Sequence, residues 1–507
     1  GGEALWDFES SLDDIPSMDT GMSSLPEPSP ALELRRARLF AGLRKCYADA
    51  CRQALLLESP PADSVDRWLL EQLAQPRSGR AQSSRDPLLP KPLIAESSRV
   101  LLRELLAELP LRCPTRSYGD VALTALRKYH TNALALLPLL KESKAAVALE
   151  AEIQALGSWI KEHGGTAVVR RRHLECPFRR KLQELGGEGG LSKRLQPEFE
   201  PAALQVIRTV SEEAQRVAEE LAGFAGQEEE EEATVSLEDQ EPSVATIRFR
   251  DDSIAISQMH LRKLRALYER HNPADSAKPS DWERVFRRRL YVMLRRYITF
   301  IGLDPTEEGL KGGNMHAAAP ETVFAWLKKE LGVQCELFAS PLNCYFSRFC
   351  SAFPDVDAAF GSLGSFFDIS DGLRGSFEVG PPYTEEVMEL MAQKLLRLLR
   401  SSGENALSFI VFTPDWEGAS ALNMMGGKDF ASFRRSRGEQ AFVMAQGRNH
   451  HYISGTQFFA DAGDNVGRRY YVVPHGTRIY ILQNDAGAAR WPFTEERELA
   501  LLEQLKP

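Results

Sequence analysis

The chain has 507 residues, of which 43% are hydrophobic and 26% are charged, so it is long enough for two or three domains with buried cores. Its formal net charge of −9 argues against nonspecific coating of nucleic acid, which needs a broad excess of Lys and Arg, although local basic patches stay compatible with it. No apolar run approaches the roughly 18 residues of a membrane span. We therefore expect a globular protein that does not cross a membrane.

The seven cysteines form no CxxC pair and have no nearby histidines at zinc-ligand spacing. This usage predicts reduced thiols, an intracellular protein and no structural metal. The chain opens with Gly-Gly and lacks the basic-then-apolar order of a signal peptide. We expect it to be a fragment of a longer protein.

Residues 1–30 are acidic and rich in Ser and Pro, which predicts a disordered acidic tail. Trp6 and Phe8 within it are compatible either with a short docking motif or with isolated apolar residues. From residue 31 to 225 the apolar residues recur at helical spacing, as in AALQVIRTVSEEAQRVAEELAGF, and strand-like alternation is scarce. This pattern predicts an N-terminal all-helical domain over 31–225.

The segment 226–245 contains five consecutive glutamates in GQEEEEEATVSLEDQEPS and predicts a solvated acidic linker. Over 246–319 the stretches ISQMHLRKLRALYERH and DWERVFRRRLYVMLRRYITFIG predict basic helices that pack on the domain that follows. Over 320–507 we predict an α/β domain with a helix at TEEVMELMAQKLLRLLRS and strands at CELFAS, SFFDIS, SFEVG, LSFIVFTP, RRYYVVP and RIYILQN. We expect CELFAS, SFEVG, LSFIVF and RIYILQ to share one sheet.

Searches for common catalytic motifs find little. The chain has no phosphate-binding P-loop, no G-x-S-x-G elbow and no H-E-x-x-H pair. Asp368, Asp371 and Asp415 lie at or near predicted strand ends, where α/β folds bind ligands, but aspartate is common in turns as well. The adjacent His450 and His451 favour a surface or strand-edge pair over a metal site.

Arginines and aromatic residues interleave in RVFRRRLYVMLRRY, a mixture typical of surfaces that clamp phosphates and stack bases. An amphipathic helix with a solvated basic face is the equal alternative. The cluster FRRSR (433–437) and RRRHLECPFRRK (170–181) are less specific. The candidate RNA-binding residues are Arg287, Arg288, Arg295, Arg296, Arg434 and Arg435.

The stretch GSFEVGPPYTEEV predicts a strand that ends in a Pro-Pro turn with an aromatic residue, followed by a helix and then by a second strand, LSFIVFTPDW. Amino-group methyltransferases use such a turn to accept hydrogen bonds from both N–H groups of a poorly nucleophilic amine, while an aromatic side chain holds the ring. The methyl donor is already an activated sulfonium, so positioning and electrostatics supply most of the catalysis and no metal is needed.

Four stretches, CELFASPLNCYFSRFCSAFPDVDAAFGS, GSFEVGPPYTEEVMELM, LSFIVFTPDW and ILQNDAGAARW, together resemble the phosphorylated-CTD-interacting factor family of cap-specific adenosine N6-methyltransferases. The resemblance covers most of residues 255–495. It implies a Rossmann-like methyltransferase core with a helical domain, S-adenosyl-L-methionine as methyl donor, capped mRNA as substrate and the nucleus as location. It also implies a WW domain that binds the phosphorylated RNA polymerase II C-terminal domain; the chain has no two-tryptophan WW pattern.

The resemblance assigns the catalytic turn to Gly380, Pro381, Pro382 and Tyr383. It assigns cofactor binding to Ser340, Pro341, Leu342 and Asn343, and we add Asp368 as a candidate on the same side. The family has Asn at the first turn position and usually Phe at the last. Tyr keeps a stacking face, but Gly removes the side-chain acceptor and loosens the backbone, which implies a loss of about 10²- to 10³-fold in turnover.

We therefore predict a family member whose fold is intact and whose catalytic turn is degraded, so that RNA or cofactor binding outlasts catalysis. Loss of S-adenosylmethionine binding is left open by the sequence. One alternative is an active enzyme that recruits another acceptor. The other is a transcription-associated scaffold that uses neither pocket.

Overall fold

The structure is a computed structural model that describes most, but not all, of the chain. The described residues are 5–9, 28–55, 57, 60–61, 63–74, 86–89, 98–107, 121–122, 127, 130–131, 134, 137, 144–162, 168–169, 190–225, 235–241, 243–273, 279–302, 316–416, 418–435, 442–445, 451–453, 455, 470–473 and 476–506. The basic cluster at 170–181 and His450 lie outside them, as does most of the predicted tail.

The described residues contain thirteen α-helices. They are α1 (Pro30–Leu55), α2 (Ser64–Leu73), α3 (Arg99–Ala107), α4 (Lys144–Glu162), α5 (Gly190–Ala225), α6 (Gln258–His271), α7 (Pro279–Ile301), α8 (Glu321–Leu331), α9 (Pro354–Asp357), α10 (Glu385–Ser401), α11 (Ser420–Gly426), α12 (Asp485–Arg490) and α13 (Glu495–Gln504). None of these helices is both long and apolar enough to cross a bilayer.

Eleven strands form in the same part of the chain. They are β1 (Val121–Ala122), β2 (Val168–Val169), β3 (Ser236–Glu241), β4 (Val244–Phe249), β5 (Asp252–Ser257), β6 (Gly375–Val379), β7 (Leu407–Pro414), β8 (Phe442–Ala445), β9 (His451–Ile453), β10 (Tyr470–Val472) and β11 (Thr477–Gln483).

The chain forms two compact units, and each combines separated segments. The first consists of Gly1–Leu39, Leu69–Lys91 and Glu220–Pro507, and the second of Phe40–Trp68 and Pro92–Glu219. The predicted domains were continuous stretches. The units are not, because α1, α2 and α5 each run across a boundary between them.

The second unit buries apolar residues at helical intervals. In α1, Phe40, Leu43 and Tyr47 are each 1% exposed, and α5 buries Val206 and Val210 in the same spacing. The region predicted to be all-helical, 31–225, contains α1 to α5 and also the short antiparallel pair of β1 and β2. The helical periodicity therefore accounts for most of its described residues.

A three-stranded antiparallel sheet, β3-β4-β5, precedes the basic helices of the first unit. It corrects the predicted acidic linker over 226–245, because residues 236–241 and 244–245 lie in β3 and β4 and not in solvated coil. The exposed Glu238 of β3 pairs with Arg248 at 3.3 Å, while the partner strand buries Ile247. Alternation, not net charge, decides the structure here.

A mixed sheet in the order β6-β7-β11-β8 forms the centre of the predicted α/β domain. Strands β6 and β7 are parallel and are connected through α10, whereas β11 pairs antiparallel with both β7 and β8. The segments SFEVG, LSFIVF and RIYILQ thus share one sheet, and the helix at TEEVMELMAQKLLRLLRS is present as α10. A complete Rossmann-like topology stays a prediction.

Helices cover both faces of this sheet. One face packs Phe377, Phe409 and Leu482 against α10 and α11, and the other packs Ile410 and Ile481 against α8 and α13. Successive residues of β7 alternate between these two cores, as expected for a strand buried on both sides. The result is a three-layer α/β/α arrangement.

Three predicted segments differ from expectation. CELFAS is not a regular strand, although its Glu336 forms a single parallel bridge with Glu378 of β6. The segment SFFDIS forms a short 3-10 helix, Phe366–Asp368, and not a strand, because Ser365 caps it by accepting a hydrogen bond from the Phe367 N–H. RRYYVVP contributes β10, which pairs only with β9 among the described strands.

Part of the tail predicted to be disordered is ordered. The Asp7 N–H donates to the Tyr345 carbonyl at 2.8 Å, and the Asp7 carboxylate pairs with Lys328. Phe8 is 9% exposed and its ring stacks with that of Trp6. The correction applies to residues 5–9, whose apolar side chains supply the burial that the rest of the tail composition lacks.

Candidate functional site

The Pro-Pro turn lies at the carboxyl end of β6, between the two parallel strands of a β-α-β unit. Gly380 and Pro381 leave the strand, and the Pro382 carbonyl accepts a hydrogen bond from the Thr384 N–H at 2.7 Å just before α10 begins. Ligands of α/β folds bind outside the carboxyl ends of parallel strands. The turn therefore occupies the place where a substrate site is expected.

A first pocket of about 730 Å³ opens on one side of the turn. Gly380 and Pro382 form part of its wall, and Ser340 and Asn343 form another part. Four phenylalanines supply aromatic faces, and the neighbouring hydroxyl and amide groups supply hydrogen-bonding atoms. The phenylalanines are Phe300, Phe338, Phe366 and Phe367.

The loop of Ser340–Asn343 is held by its own side chains. The Asn343 Oδ1 atom accepts hydrogen bonds from the Ser340 N–H at 2.8 Å and from the Ser340 hydroxyl at 2.9 Å, and its amide donates to the His316 carbonyl at 3.1 Å. Leu342 is 4% exposed, so its side chain is buried beneath the loop. Ser340 and Asn343 line the pocket, whereas Pro341, Leu342 and Asp368 are not part of its lining.

His316 brings a buried polar atom to the first pocket. Its Nε2 atom is inaccessible and makes no hydrogen bond with any described residue, while its ring contacts Tyr297 and Phe300 edge to face. Burial lowers the pKa of His316 to about 4, so the ring is neutral near pH 7. A neutral imidazole beside aromatic faces and serine hydroxyls fits the polar edge of a purine nucleoside.

A second pocket of about 530 Å³ lies on the other side of the turn. All four turn residues line it, and Ala317, Phe338 and Asn343 join the turn in lining both pockets. Two carboxyl groups, those of Glu336 and Glu378, also face it. The turn thus borders two adjoining spaces, as a group between a methyl donor and a methyl acceptor must.

The two glutamates of the second pocket differ in their hydrogen bonds. The Glu336 Oε2 atom accepts hydrogen bonds from the N–H groups of Tyr345 at 2.8 Å and Phe346 at 2.9 Å, and burial raises the pKa of Glu336 to about 7. Burial, and then the Glu336 carboxyl, raise the pKa of Glu378 well above its usual value. The charge of the buried Lys263 lowers the pKa of Glu336, but burial outweighs it.

Tyr383 is the last residue of the turn, and both its ring and its hydroxyl group make contacts. Its hydroxyl lies 3.1 Å from that of Tyr452, which lies 3.0 Å from the Thr477 hydroxyl. The Tyr383 ring also contacts Trp416 edge to face, with centroids 6.2 Å apart. Phenylalanine at this position would keep the ring and lose the hydrogen-bonded chain of hydroxyl groups.

Arg296 of the basic helix is a structural residue and not an RNA contact. It is 0% exposed, and it bonds Glu33 at 2.7 Å and Asp355 at 2.9 Å. Arg36 joins the same cluster through Glu33 and bonds Asp86 at 2.7 Å. Burial opposes ionisation of Glu33, yet Arg296 and Arg36 hold its pKa below the usual value. The predicted RNA-binding role of Arg296 is therefore wrong.

The aromatic residues of α7 face the core, which favours the amphipathic-helix alternative. Trp282, Phe286, Tyr291 and Tyr297 are all at most 8% exposed, so they offer no open stacking platform. The partly exposed arginines are engaged at the surface of the unit: Arg287 bonds Glu283 at 2.9 Å, and Arg295 lies 3.4 Å from Asp252. Arg288 is half-buried.

Arg434 and Arg435 donate hydrogen bonds to main-chain carbonyl groups. Arg434 bonds the carbonyls of Met425 and Gly427, both at 2.8 Å, where α11 ends. Arg435 bonds the Gln483 carbonyl at 2.9 Å and Asp485 at 2.9 Å. These contacts tie the segment after α11 to the sheet, and RNA binding by Arg434 and Arg435 stays a prediction.

Sequence reasoning missed Glu336, Glu378, His316 and Tyr452. A signal existed for Glu378, because an acidic residue stands inside the otherwise apolar strand SFEV, where burial of an unpaired charge is costly. The other three come from separate segments, so only the fold brings them to the turn.

A β-α-β unit with a Pro-Pro-aromatic turn between two adjoining pockets defines a homologue of the amino-group methyltransferases. Residues 263–455 match the family described as phosphorylated CTD interacting factor 1 WW domain. The chain is 31% identical over 527 residues to the human mRNA (2′-O-methyladenosine-N(6)-)-methyltransferase, covering 98% of this chain and 69% of that protein, and 31% identical over 532 residues to the protein of that name from Mus musculus, with the same coverage.

The chain therefore belongs to the phosphorylated-CTD-interacting factor family, as its sequence motifs indicated. The matched range begins in α6 and ends just after β9, so its described residues include α7, α10 and strands of the mixed sheet.

Proposed function

We propose that this protein binds S-adenosylmethionine in the first pocket and the 2′-O-methyladenosine of a capped mRNA in the second, and that it methylates N6 more slowly than relatives with Asn in the turn. The observation that carries the proposal is the position of Gly380, which lines both pockets at the end of β6. As a member of this family, the protein is proposed to act in the nucleus, on transcripts of RNA polymerase II carrying a phosphorylated C-terminal domain.

The lining of the first pocket fits the adenosyl part of the methyl donor. Phe338, Phe366 and Phe367 offer faces for a purine, and Ser340 and Asn343 offer polar atoms for its edge and its ribose hydroxyls. When bound, S-adenosylmethionine supplies a methyl group on a sulfonium centre, so the protein needs no metal to activate it. The remaining task of the chain is to hold the amine in line.

The turn performs that task in the second pocket. Backbone carbonyls of the turn accept a hydrogen bond from the amine, and Tyr383 supports the base by its ring. Gly380 offers no side-chain acceptor, and losing one preorganised hydrogen-bonding group lowers turnover by about 10²- to 10³-fold. The proposed protein is thus a weak enzyme and not a protein with an unrelated function.

Titration calorimetry with S-adenosylmethionine tests donor binding, and single-turnover assays on RNA with a 7-methylguanosine cap and 2′-O-methyladenosine test transfer. We expect donor binding together with slow transfer. Absence of donor binding by a folded protein would favour the transcription-associated scaffold instead. Fast methyl transfer by the wild-type protein would favour a fully active enzyme. The Glu378 carboxyl group lies next to Gly380 and is a candidate for the other acceptor that this alternative requires.

A further inference from the structure

Glu378 occupies the space that a side chain at position 380 would need. These residues are two apart at the end of β6, so their side chains leave the backbone on the same side. A Cβ atom built on Gly380 would lie 2.7 Å from the Glu378 Oε1 atom and 3.6 Å from its Cδ atom. Contacts below 3.0 Å are essentially never seen for real Cβ atoms. The contacting oxygen is the far end of a flexible side chain, so a larger residue at position 380 would shift the carboxyl group, and glycine lets it stay beside the turn.

The Glu378 carboxyl faces the proposed amine site and has no competing task. It is 5% exposed, and it lines the second pocket together with Gly380 and Pro381. Among the described residues no cation pairs with it and no N–H group donates to it; only burial and Glu336 perturb its ionisation. A buried carboxyl that the fold does not satisfy is available to a ligand.

We propose that Glu378 replaces the missing side chain of the turn as the hydrogen-bond acceptor and proton acceptor for the adenine N6 amine. This inference rests on the proposed function. It makes Glu378 a catalytic residue, and it assigns to Gly380 the role of admitting the carboxyl group to the reacting nitrogen.

The chemistry balances at Glu378. The N6 nitrogen forms a bond to the sulfonium methyl carbon, while the carbon–sulfur bond breaks and its electron pair goes to sulfur. The nitrogen then carries one proton too many and gives it to Glu378 in its ionised form, which becomes more populated as the pH rises because the pKa of this carboxyl is raised; the products are a neutral methylated amine and a carboxylic acid. The carboxylate is restored by proton loss to solvent. A carboxylate beside a developing positive charge also stabilises the transition state.

Glu336 tunes the same step. The two glutamates form a parallel bridge through their backbones, and the charge of one raises the pKa of the other. Cys335 and Tyr452 are the further titratable groups coupled to Glu378. Glu336 already accepts hydrogen bonds from two backbone N–H groups, whereas no described N–H group donates to Glu378, so Glu378 is the better placed proton acceptor of the pair.

Two substitutions separate this role from a structural one. Glu378→Gln keeps the size of the side chain and one carbonyl acceptor but cannot take a proton. General-base catalysis usually contributes about 10²- to 10⁴-fold to a rate, and we expect the single-turnover rate of methyl transfer to fall about 10- to 100-fold. Gly380→Ala adds only a methyl group, which must displace the carboxyl, and we expect a loss of similar size. Because both changes remove one interaction, the double variant should lose little more than either single variant.

The matched control is Glu321→Gln, since Glu321 is equally buried, at 5% exposed, and lines neither pocket. Donor affinity by calorimetry and thermal unfolding accompany every assay, and both should stay at the wild-type level for Glu378→Gln. Wild-type rates in Glu378→Gln and in Gly380→Ala would overturn the inference while leaving the proposed function intact. Undetectable transfer by a wild-type protein that binds donor would overturn it as well. Failure of donor binding in every variant would instead remove the proposed function itself.

Discussion

Two buried groups of charge in this protein differ in how they are neutralised. At α7, Arg296 lies between Glu33 and Asp355, and each charge has a partner of opposite sign within hydrogen-bond distance. At the end of β6, Glu336 and Glu378 face one pocket with no cation bonded to either among the described residues. The first arrangement holds segments together, and the second leaves acids available for chemistry.

The direction of the pKa shifts records the same difference. Arg296 and Arg36 outweigh burial and hold the pKa of Glu33 below its usual value, whereas burial raises the pKa of Glu336 to about 7. A functional site is suggested by buried acids that the fold leaves uncompensated, and not by the density of charged residues in the sequence. The arginine-rich helix buries Arg296 in ion pairs, whereas the Pro-Pro turn lies beside the acid pair, and the catalytic role of the turn stays a prediction.

The largest expected effect is a loss of folding stability when the buried ion pairs of Arg296 in α7 are removed. Arg296→Met removes the buried partner of Asp355 and leaves Glu33 with Arg36 alone, and we expect the free energy of unfolding to fall by about 3–5 kcal/mol in urea titrations. The control is Arg287→Met, which removes a partly exposed pair within one helix and should change stability by at most about 0.5 kcal/mol. Unchanged stability of Arg296→Met, combined with loss of RNA binding, would restore Arg296 as an RNA contact.

The next effect is the pH dependence of stability at the acid pair. The pKa of Glu336 is about 7 in the folded protein and near 4.5 when unperturbed, so over this interval the folded state keeps a proton that the unfolded chain loses. The stabilisation is therefore complete below pH 4.5 and is lost as the pH rises through 7, by on the order of 3 kcal/mol.

Urea titrations between pH 4.5 and 7.5 on wild type and Glu336→Gln measure this effect. The amide keeps an oxygen for the N–H groups of Tyr345 and Phe346, so the variant should lose the pH dependence and not the loop. Acids not coupled to Glu336, such as Asp357, contribute equally to both proteins, and the difference between the two curves reports Glu336 together with its effect on Glu378. Parallel curves for the two proteins would exclude a neutral Glu336.

A smaller effect concerns Tyr383. Tyr383→Ala should weaken binding of the capped RNA by about 1–3 kcal/mol, because it removes the ring on which we propose that the base stacks. Tyr383→Phe keeps the ring and removes only the hydroxyl contact with Tyr452, so it should bind RNA nearly as wild type does and lose about 1 kcal/mol of stability. Equal binding by all three proteins would show that the base is held elsewhere.

The smallest effect is expected at the surface of α7. Arg288→Glu or Arg295→Glu should lower RNA affinity at low salt and reduce its salt dependence by about one phosphate contact if these residues line the RNA path. Arg400→Glu, near the opposite end of α10 from the turn, serves as the charge-matched control. Affinity unchanged in both α7 variants would make the helix entirely structural.

The sequence predicted the parts of the fold that depend on local pattern. Short apolar runs between helical patterns located β6, β7 and β11, and the helical spacing of TEEVMELMAQKLLRLLRS located α10. The acidic composition of 226–245 led to the wrong prediction of a solvated linker, because pairing between β3 and β4 is a nonlocal property that overrides charge. The order of residues 5–9 was equally unpredictable, since it depends on Tyr345 and Lys328, more than 300 residues away.

The site was predicted only where it is contiguous in the chain. The turn at Gly380–Tyr383 could be found because its four residues are adjacent and their neighbours form a strand and a helix. His316 and Tyr452 could not, because they reach the pockets from segments with no motif of their own. The role of Glu378 depends on a 2.7 Å contact that no spacing rule contains.

The most direct test of the account is single-turnover methyl transfer to capped 2′-O-methyladenosine RNA by wild type and Gly380→Asn, with S-adenosylmethionine affinity measured on the same preparations. The new amide supplies the side-chain acceptor of the relatives but must push aside the Glu378 carboxyl that we propose takes its place, so we predict a rise of at least about 10-fold that falls short of the full 10²- to 10³-fold, at unchanged donor affinity. A wild-type protein that already transfers methyl groups rapidly, with a rate that Gly380→Asn leaves unchanged, would contradict the claim that Gly380 limits this site.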